Sequence, residues 1–245
     1  MHAAFTVSFP NRRSANAVEV RSMDELGSAR LALGLAAAPT LVLVGGAAGL
    51  SDGDSDELRP LFVDTIAPLI GELGAQVIDG GTDVGVMRLI GGARAELRLS
   101  FPLVGVAAVG NVAVPGRKAA TSAAELEPHH THFLLVDGAG WGTEAPWIAR
   151  LATMLAEGHP SLTLLVGGGE ISWSDASESV AAGRPIVAVA GSGGAADALD
   201  AHLRGARADR RALPLVSSGL VIGTRVAEAG ASIRTILGRP LRANA

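Results

Sequence analysis

The sequence contains no cysteine and no tyrosine, and only 3% of its 245 residues are aromatic. Missing thiols exclude disulfides, cysteine-ligated metals and thiolate catalysis together, and they fit a reducing, cytoplasmic setting. Scarce rings leave few platforms for stacked bases, and a net charge of -4 gives no general attraction to a phosphate backbone. Nucleic acid is therefore not an expected partner. Charged residues make up only 18% of the chain against 48% hydrophobic, a balance that excludes a disordered polymer. The 32 glycines show no three-residue period, which excludes collagen. What remains is a globular chain long enough to bury its own core.

One stretch, residues 31–50 (LALGLAAAPTLVLVGGAAGL), lacks any charge over a length that could cross a bilayer, which takes about 20 apolar residues. Pro39 and the pair Gly45-Gly46 punctuate it, and TLVLV inside it reads as a buried parallel strand, so no membrane span is expected. The opening MHAAFTVSFPNRR places its arginines after the apolar residues, the reverse of a signal peptide.

Residues 5–9 and 17–20 read as two short strands or a hairpin. Ser22 with Glu25 three residues on has the form of a capping box, opening a helix with Leu26, Ala29 and Leu33 on one face and an end at Pro39. From Thr40 a grammar of short apolar strand, glycine turn and helix repeats. Strands are expected at 40–44, 75–79, 103–107, 132–136, 162–166 and 186–190, and helices at 56–73, 84–97, 145–157, 174–182 and 195–203. That alternation predicts an α/β fold, a doubly wound, mostly parallel sheet with helices on both faces. We read residues 1–245 as a single domain with a core at 40–203, an N-terminal hairpin and helix within 1–38, and a small C-terminal helical extension over 206–245.

Ligands of such sheets bind outside the carboxyl ends of the strands, and there this chain concentrates glycine. Four turns qualify: Gly45-Gly46-Ala47-Ala48-Gly49, Gly80-Gly81-Thr82-Asp83-Val84-Gly85, Gly167-Gly168-Gly169-Glu170 and Gly191-Ser192-Gly193-Gly194. Without a Cβ, the backbone N–H groups can approach a phosphate closely, and a following helix adds its dipole. Gly85 opens the helix carrying Val86 and Met87, and Gly193-Gly194 opens AADALDAHL, so both turns are candidate diphosphate sites. No Gly-Lys-Ser/Thr follows any turn, and the first turn does not fit Gly-x-Gly-x-x-Gly, which removes support from ATPase and ordinary dehydrogenase readings.

Three histidines crowd the segment EPHHTHFLLVDG. If Thr131 is extended, His130 and His132 share a face, but no further ligand recurs at metal-like spacing, so they are taken as ligand-contacting residues and no metal is assigned. Asp137, ending its strand at the ligand edge, is a candidate for a ribose hydroxyl or for holding its own turn. Thr143 stands where it could cap the next helix, Arg150 in that helix is a candidate phosphate contact, and Trp141 or Trp147 could stack on a base. With so few aromatics, base discrimination is expected to be weaker than discrimination of the diphosphate.

The order LVGGAAGLS, VIDGGTDVGVMRLIG, LVGVAAVG, LEPHHTHFLLVDG, LLVGGGE and PIVAVAGSGGAAD resembles the SLOG superfamily, a Rossmann-like group. More narrowly it is similar to LSDAT, the prokaryotic relatives of the N-terminal domain of TRPM channels. The resemblance implies a pocket for an NAD-derived nucleotide such as ADP-ribose, with its diphosphate near 81–87 and 191–194, in a domain that senses without catalysing and requires no cofactor. The Lonely Guy hydrolases of the same superfamily carry Pro-Gly-Gly-x-Gly-Thr-x-x-Glu. GGGEISWSDASES departs from that order, and only Arg117 and Lys118 represent the basic loop of some channel domains.

These observations lead to a nucleotide-binding module for ADP-ribose, NAD or a relative. The alternative is a hydrolase of an N-glycosidic or phosphate bond, with Glu144, Asp137 or Glu170 as acid or base. A scaffold serving only oligomerisation is the third reading, and nothing in the sequence fixes the number of subunits.

Overall fold

The computed structural model describes residues 3–46, 52–207 and 209–240. Strands β1 (Phe5–Ser8) and β2 (Ser14–Val20) form the expected hairpin. The capping box is present: Ser22 Oγ accepts from the Asp24 N–H and the Glu25 carboxylate accepts from the Ser22 N–H. It leads into α1 (Leu26–Leu33), whose Leu26, Ala29 and Leu33 are all buried. This helix stops before Pro39, because Gly34 at φ 70 turns the backbone left-handed and closes it.

The alternating region follows as β3 (Thr40–Gly45), α2 (Asp52–Pro60), a π-helical turn (Leu61–Ile66), α3 (Ala67–Glu72), β4 (Gln76–Asp79), α4 (Gly85–Glu96) and β5 (Leu103–Ala108). The helix expected at 56–73 is thus three segments, with Pro60 and Pro68 bracketing the wide turn and each withholding an N–H from the ladder. A small parallel pair, β6 (Val112–Ala113) and β7 (Ala124–Glu125), forms in the long loop before β8 (His132–Val136). Then come α5 (Ala145–Ala156), β9 (Ser161–Val166), α6 (Glu170–Ala181), β10 (Ile186–Ala190) and α7 (Gly194–Leu203). Helix α6 starts four residues before the expected 174, directly off its glycine turn.

The C-terminal extension is not purely helical. Between α8 (Ala212–Ser217) and α9 (Ala229–Leu237) lies β11 (Val221–Arg225), which pairs in parallel with β10. Its sequence, VIGTR, hides this role, since only Val221 and Thr224 are buried and the apolar run typical of a central strand is missing. Residues 47–49 of the first glycine turn, and residues 241–245 of the tail, lie outside the described residues.

The nine-stranded sheet has the order β1-β2-β8-β5-β4-β3-β9-β10-β11 and is parallel except for the β1-β2 pair. Its central strands are apolar on both sides because both faces are covered. Val42, Val44, Ile78, Val104 and Leu134 pack against α1, α5, α6, α7 and α8 on one face. Leu41, Leu43, Val77, Leu162 and Leu164 pack against α2, α3, α4 and α9 on the other. Each fully buried Leu or Val stabilises the fold by about 1.5–3 kcal/mol, so both faces of packing hold the sheet in place. A smaller apolar cluster joins the hairpin to Phe133, Leu135 and the loop around β6 and β7.

Candidate functional site

From β3 the chain lays β4, β5 and β8 on one side, then crosses back to place β9, β10 and β11 on the other. The strand order therefore reverses between β3 and β9, and a reversal of this kind splays the following loops apart and leaves a crevice at the carboxyl edge. Gly45 at the end of β3 lies beside Val166 at the end of β9. A Cβ on Gly45 would sit 2.4 Å from the Val166 carbonyl oxygen and 2.6 Å from Val86 Cγ1, so only glycine lets the two strand ends close on each other here.

Two adjoining cavities occupy the crevice. The first, about 420 Å³, is bordered by Gly46, Gly167, Gly168, Gly169, Gly191, Ser192, Gly193 and Gly194, with Glu57, Asp197, Leu58 and Val226 at its margins. Its two turns are joined: the Ala195 and Ala196 N–H groups donate to the carbonyls of Gly168 and Gly167, both at 2.9 Å. Gly194, at φ +54, permits this, because a Cβ there would lie 2.1 Å from the Gly168 oxygen. Ser192 Oγ accepts from the Gly167 N–H (2.7 Å) and Asp197 from the Gly191 N–H (2.7 Å). The expected anion end of α7 is thus partly occupied by the neighbouring turn. Helix α6, whose N-cap Gly169 supplies no side chain, presents its first N–H groups beside the same cavity. Among the described residues no Lys or Arg borders this space, so backbone dipoles carry its attraction for an anion.

The second cavity, about 410 Å³, has another character. Leu43, Met87, Ile148 and Ile171 wall it, Trp141 stands half-exposed at its margin, and Gly45, Gly80, Thr82, Gly169, Glu170, Ser172, Glu144 and Asp175 complete it. Glu144 accepts a hydrogen bond from the Gly142 N–H (3.0 Å), yet burial still pushes its carboxyl above the usual range. Thr143 does not cap α5; its hydroxyl donates to the Gly140 carbonyl. Burial, reinforced by the charges of Glu144 and Glu178, pushes Asp175 up to about 7. Its buried Oδ1 has no hydrogen-bond partner among the described residues. Sequence reasoning missed Asp175. The available signal was helical spacing: once α6 starts at Glu170, Asp175 lies four residues after Ile171 and three after Ser172, on the face they share.

Glu170 differs from both acids: its side chain is largely exposed and pairs with Arg211 Nη1 at 2.6 Å. Of the expected contact residues, Gly45, Gly46, Gly80, Thr82, Met87, Gly167, Gly168, Gly169, Gly191, Ser192 and Gly193 converge on the crevice. Gly81, Gly85 and Val86 flank it, Val86 packing beneath Gly45. Asp137 is exposed at the end of β8, separated from β3 by β5 and β4, about 14 Å at typical strand spacing. Arg150 borders a separate surface depression with Met23 and Glu178. Arg117 pairs with Glu19 and lies over the Phe5 ring, away from the crevice.

His130 and His132 do not share a face. His130 is buried against Phe133, its Nε2 2.9 Å from Asp79 Oδ1 and its Nδ1 2.8 Å from Glu127 Oε2. Although burial opposes the charge, the two carboxylates raise the imidazole to about 9, so it is a cation with both nitrogens engaged. Asp79 also accepts from the Gly81 N–H, and Glu127 from His129, so the cluster fastens the Gly80-Gly81 turn to the loop before β8. His132 lies on the other face, bonded to Thr131 and, through the backbone, to Leu33.

The family model described as SLOG in TRPM, prokaryote, matches residues 38–234, a span that runs from β3 into α9 and contains both cavities. The chain belongs to this family, LSDAT. No curated protein matches it. Two solved structures share the fold seen here. One is the structural genomics target TM1055, 19% identical with a TM-score of 0.53, covering 81% of this chain and 99% of its own. The other is the molybdenum cofactor carrier protein MCP from Chlamydomonas reinhardtii, 16% identical with a TM-score of 0.55, covering 82% and 99%. Likeness at these identities extends to the fold. Among the described residues, no helix of this LSDAT chain is long and apolar enough to cross a membrane.

Proposed function

We propose that the crevice between β3 and β9 binds a nucleotide-derived ligand such as ADP-ribose or NAD and that the domain senses this ligand. The supporting observation is the meeting, at Gly169, of a glycine-lined cavity rich in backbone donors and an apolar cavity sized for a ring. A diphosphate would lie over the turns after β9 and β10 and the start of α6, and the base would enter beside Trp141. Membership of LSDAT, and the cofactor carried by the structurally similar MCP, favour a ligand of this class. Thermal unfolding with ADP-ribose, NAD and AMP tests the reading: a ligand at a hundred times its Kd adds about 2.7 kcal/mol. Absence of any stabilisation at millimolar concentration would overturn it.

Glu144 gives a specific reason to retain a second reading, hydrolysis at the same site, since a carboxyl raised by burial at the edge of a cavity is suited to proton transfer. Incubation with NAD, ADP-ribose or AMP should then release free base or ribose phosphate, and Glu144→Gln should abolish the release. Intact ligand after prolonged incubation removes this reading and leaves binding in place.

A further inference from the structure

We propose that the apolar cavity is a base-recognition subsite in which Asp175 and Glu144 accept N–H hydrogen bonds from the exocyclic amino group of a flat heterocycle. This deepens, and rests on, the reading of the crevice as a nucleotide site.

Three observations support the assignment. First, Leu43, Met87, Ile148 and Ile171 line the cavity and Trp141 is 53% exposed beside them, so a planar apolar ring entering here covers surface that is otherwise wet. Second, Asp175 borders the cavity and has no hydrogen-bond partner among the described residues. A buried, unpartnered carboxyl oxygen is costly, and a donor from a ligand removes that cost. Third, among the described residues no cationic side chain acts on Asp175. Strands β3, β9 and β10 and helix α8, all packed against α6, contain no titratable residue. Glu144 comes from the start of α5, and Glu178 from α6 itself, both adding negative charge. The nearby Arg211 is held by Asp209 and Glu170 over the Trp173 ring. On α7, Asp197 accepts from the Gly191 N–H, Asp200 pairs with Arg204, and His202 borders a separate cavity with Arg207 and Asp209; Arg150 of α5 borders the surface depression shared with Met23 and Glu178. The subsite therefore offers two carboxyl acceptors with no cation between them, a pattern complementary to an amino group.

The pKa of Asp175 then makes the subsite responsive to protons. Amino-group donation is stronger to the ionised carboxylate than to the neutral acid, so protonation weakens binding and affinity rises with pH until Asp175 is fully ionised.

The test uses the full chain and calorimetric titration with two probes, ADP-ribose and its 6-dimethylamino analogue, which keeps the diphosphate and ring but has no N–H to donate. The expected result is about tenfold weaker binding of the analogue, the size of one lost hydrogen bond to a charged group. ADP-ribose binding should also tighten about tenfold between pH 6 and pH 8. Asp175→Asn should weaken ADP-ribose, leave the analogue unchanged and remove the pH dependence. Glu144→Gln should weaken ADP-ribose while retaining that dependence, which separates recognition from a general loss of folding. Equal affinity for the two probes, or equal loss of both in Asp175→Asn, overturns the subsite and leaves the diphosphate reading standing. Failure of both probes to bind at millimolar concentration overturns the two together.

Discussion

Asp79 and Glu127 share the protein interior with His130, whereas Asp175 and Glu144 share theirs with no cation. Glu127 of the first pair is pushed in the opposite direction from both acids of the second. Glu127 is held below the usual carboxylate range by its hydrogen bonds and attraction to His130 and His129, even though burial opposes this. Asp175 and Glu144 are raised by burial. An acid pair that contains its own counter-charge is a fastener; a pair that faces a cavity without one is an acceptor awaiting a donor.

The largest expected effect breaks the fastener. His130→Ala leaves two buried carboxylates without their cation and should destabilise the fold by about 3–5 kcal/mol, read by urea unfolding at neutral pH. Little change would show that the cluster is hydrated and adds nothing. The same cluster predicts a pH window. Its imidazole is raised from 6.5 to about 9 on folding, so the stabilisation is complete below about pH 6.5 and is lost as pH rises through about 9. Wild type should lose roughly 3 kcal/mol across that window, a loss absent in His130→Ala.

The acceptor pair should respond with the opposite sign. Folding raises Asp175 above its ordinary 3.8, so stability falls as pH climbs from about 4 to about 7 and then levels. Asp175→Asn should therefore stabilise the free protein at pH 8 by about 1–3 kcal/mol. A destabilised variant would mean that the carboxylate has a partner, and the comparison would fail. The smallest effect belongs to Glu170, which is exposed and paired with Arg211. Glu170→Gln should leave the Tm unchanged within roughly 1 °C, read by thermal unfolding; a larger drop would show that the pair with Arg211 carries stability.

The central strands were legible because residues such as Leu41 to Val44 and Leu162 to Val166 are buried on both sides, and an uninterrupted apolar run is the signature of that burial. Strand β11 was not, since an edge strand with three exposed residues leaves no such run. The glycine turns located the crevice, as each follows a strand whose direction is common to the sheet. His130 was legible as a notable residue and misread in role, because its partner Asp79 lies 51 positions away and only the fold brings them together. Asp175 was lost through a helix start misplaced by four residues.

The pairing of β2 with β8 also bears on how the chain is made. Asn16 lies opposite His132 in a parallel ladder, and β2 has no other partner than β1 until that register forms. On a ribosome adding about 5–20 residues per second, the hairpin must wait on the order of ten seconds for its neighbour to emerge. Through that interval it exposes the unpaired edge of a strand with one apolar face, so newly made chains should depend on chaperones most strongly before β8 is synthesised.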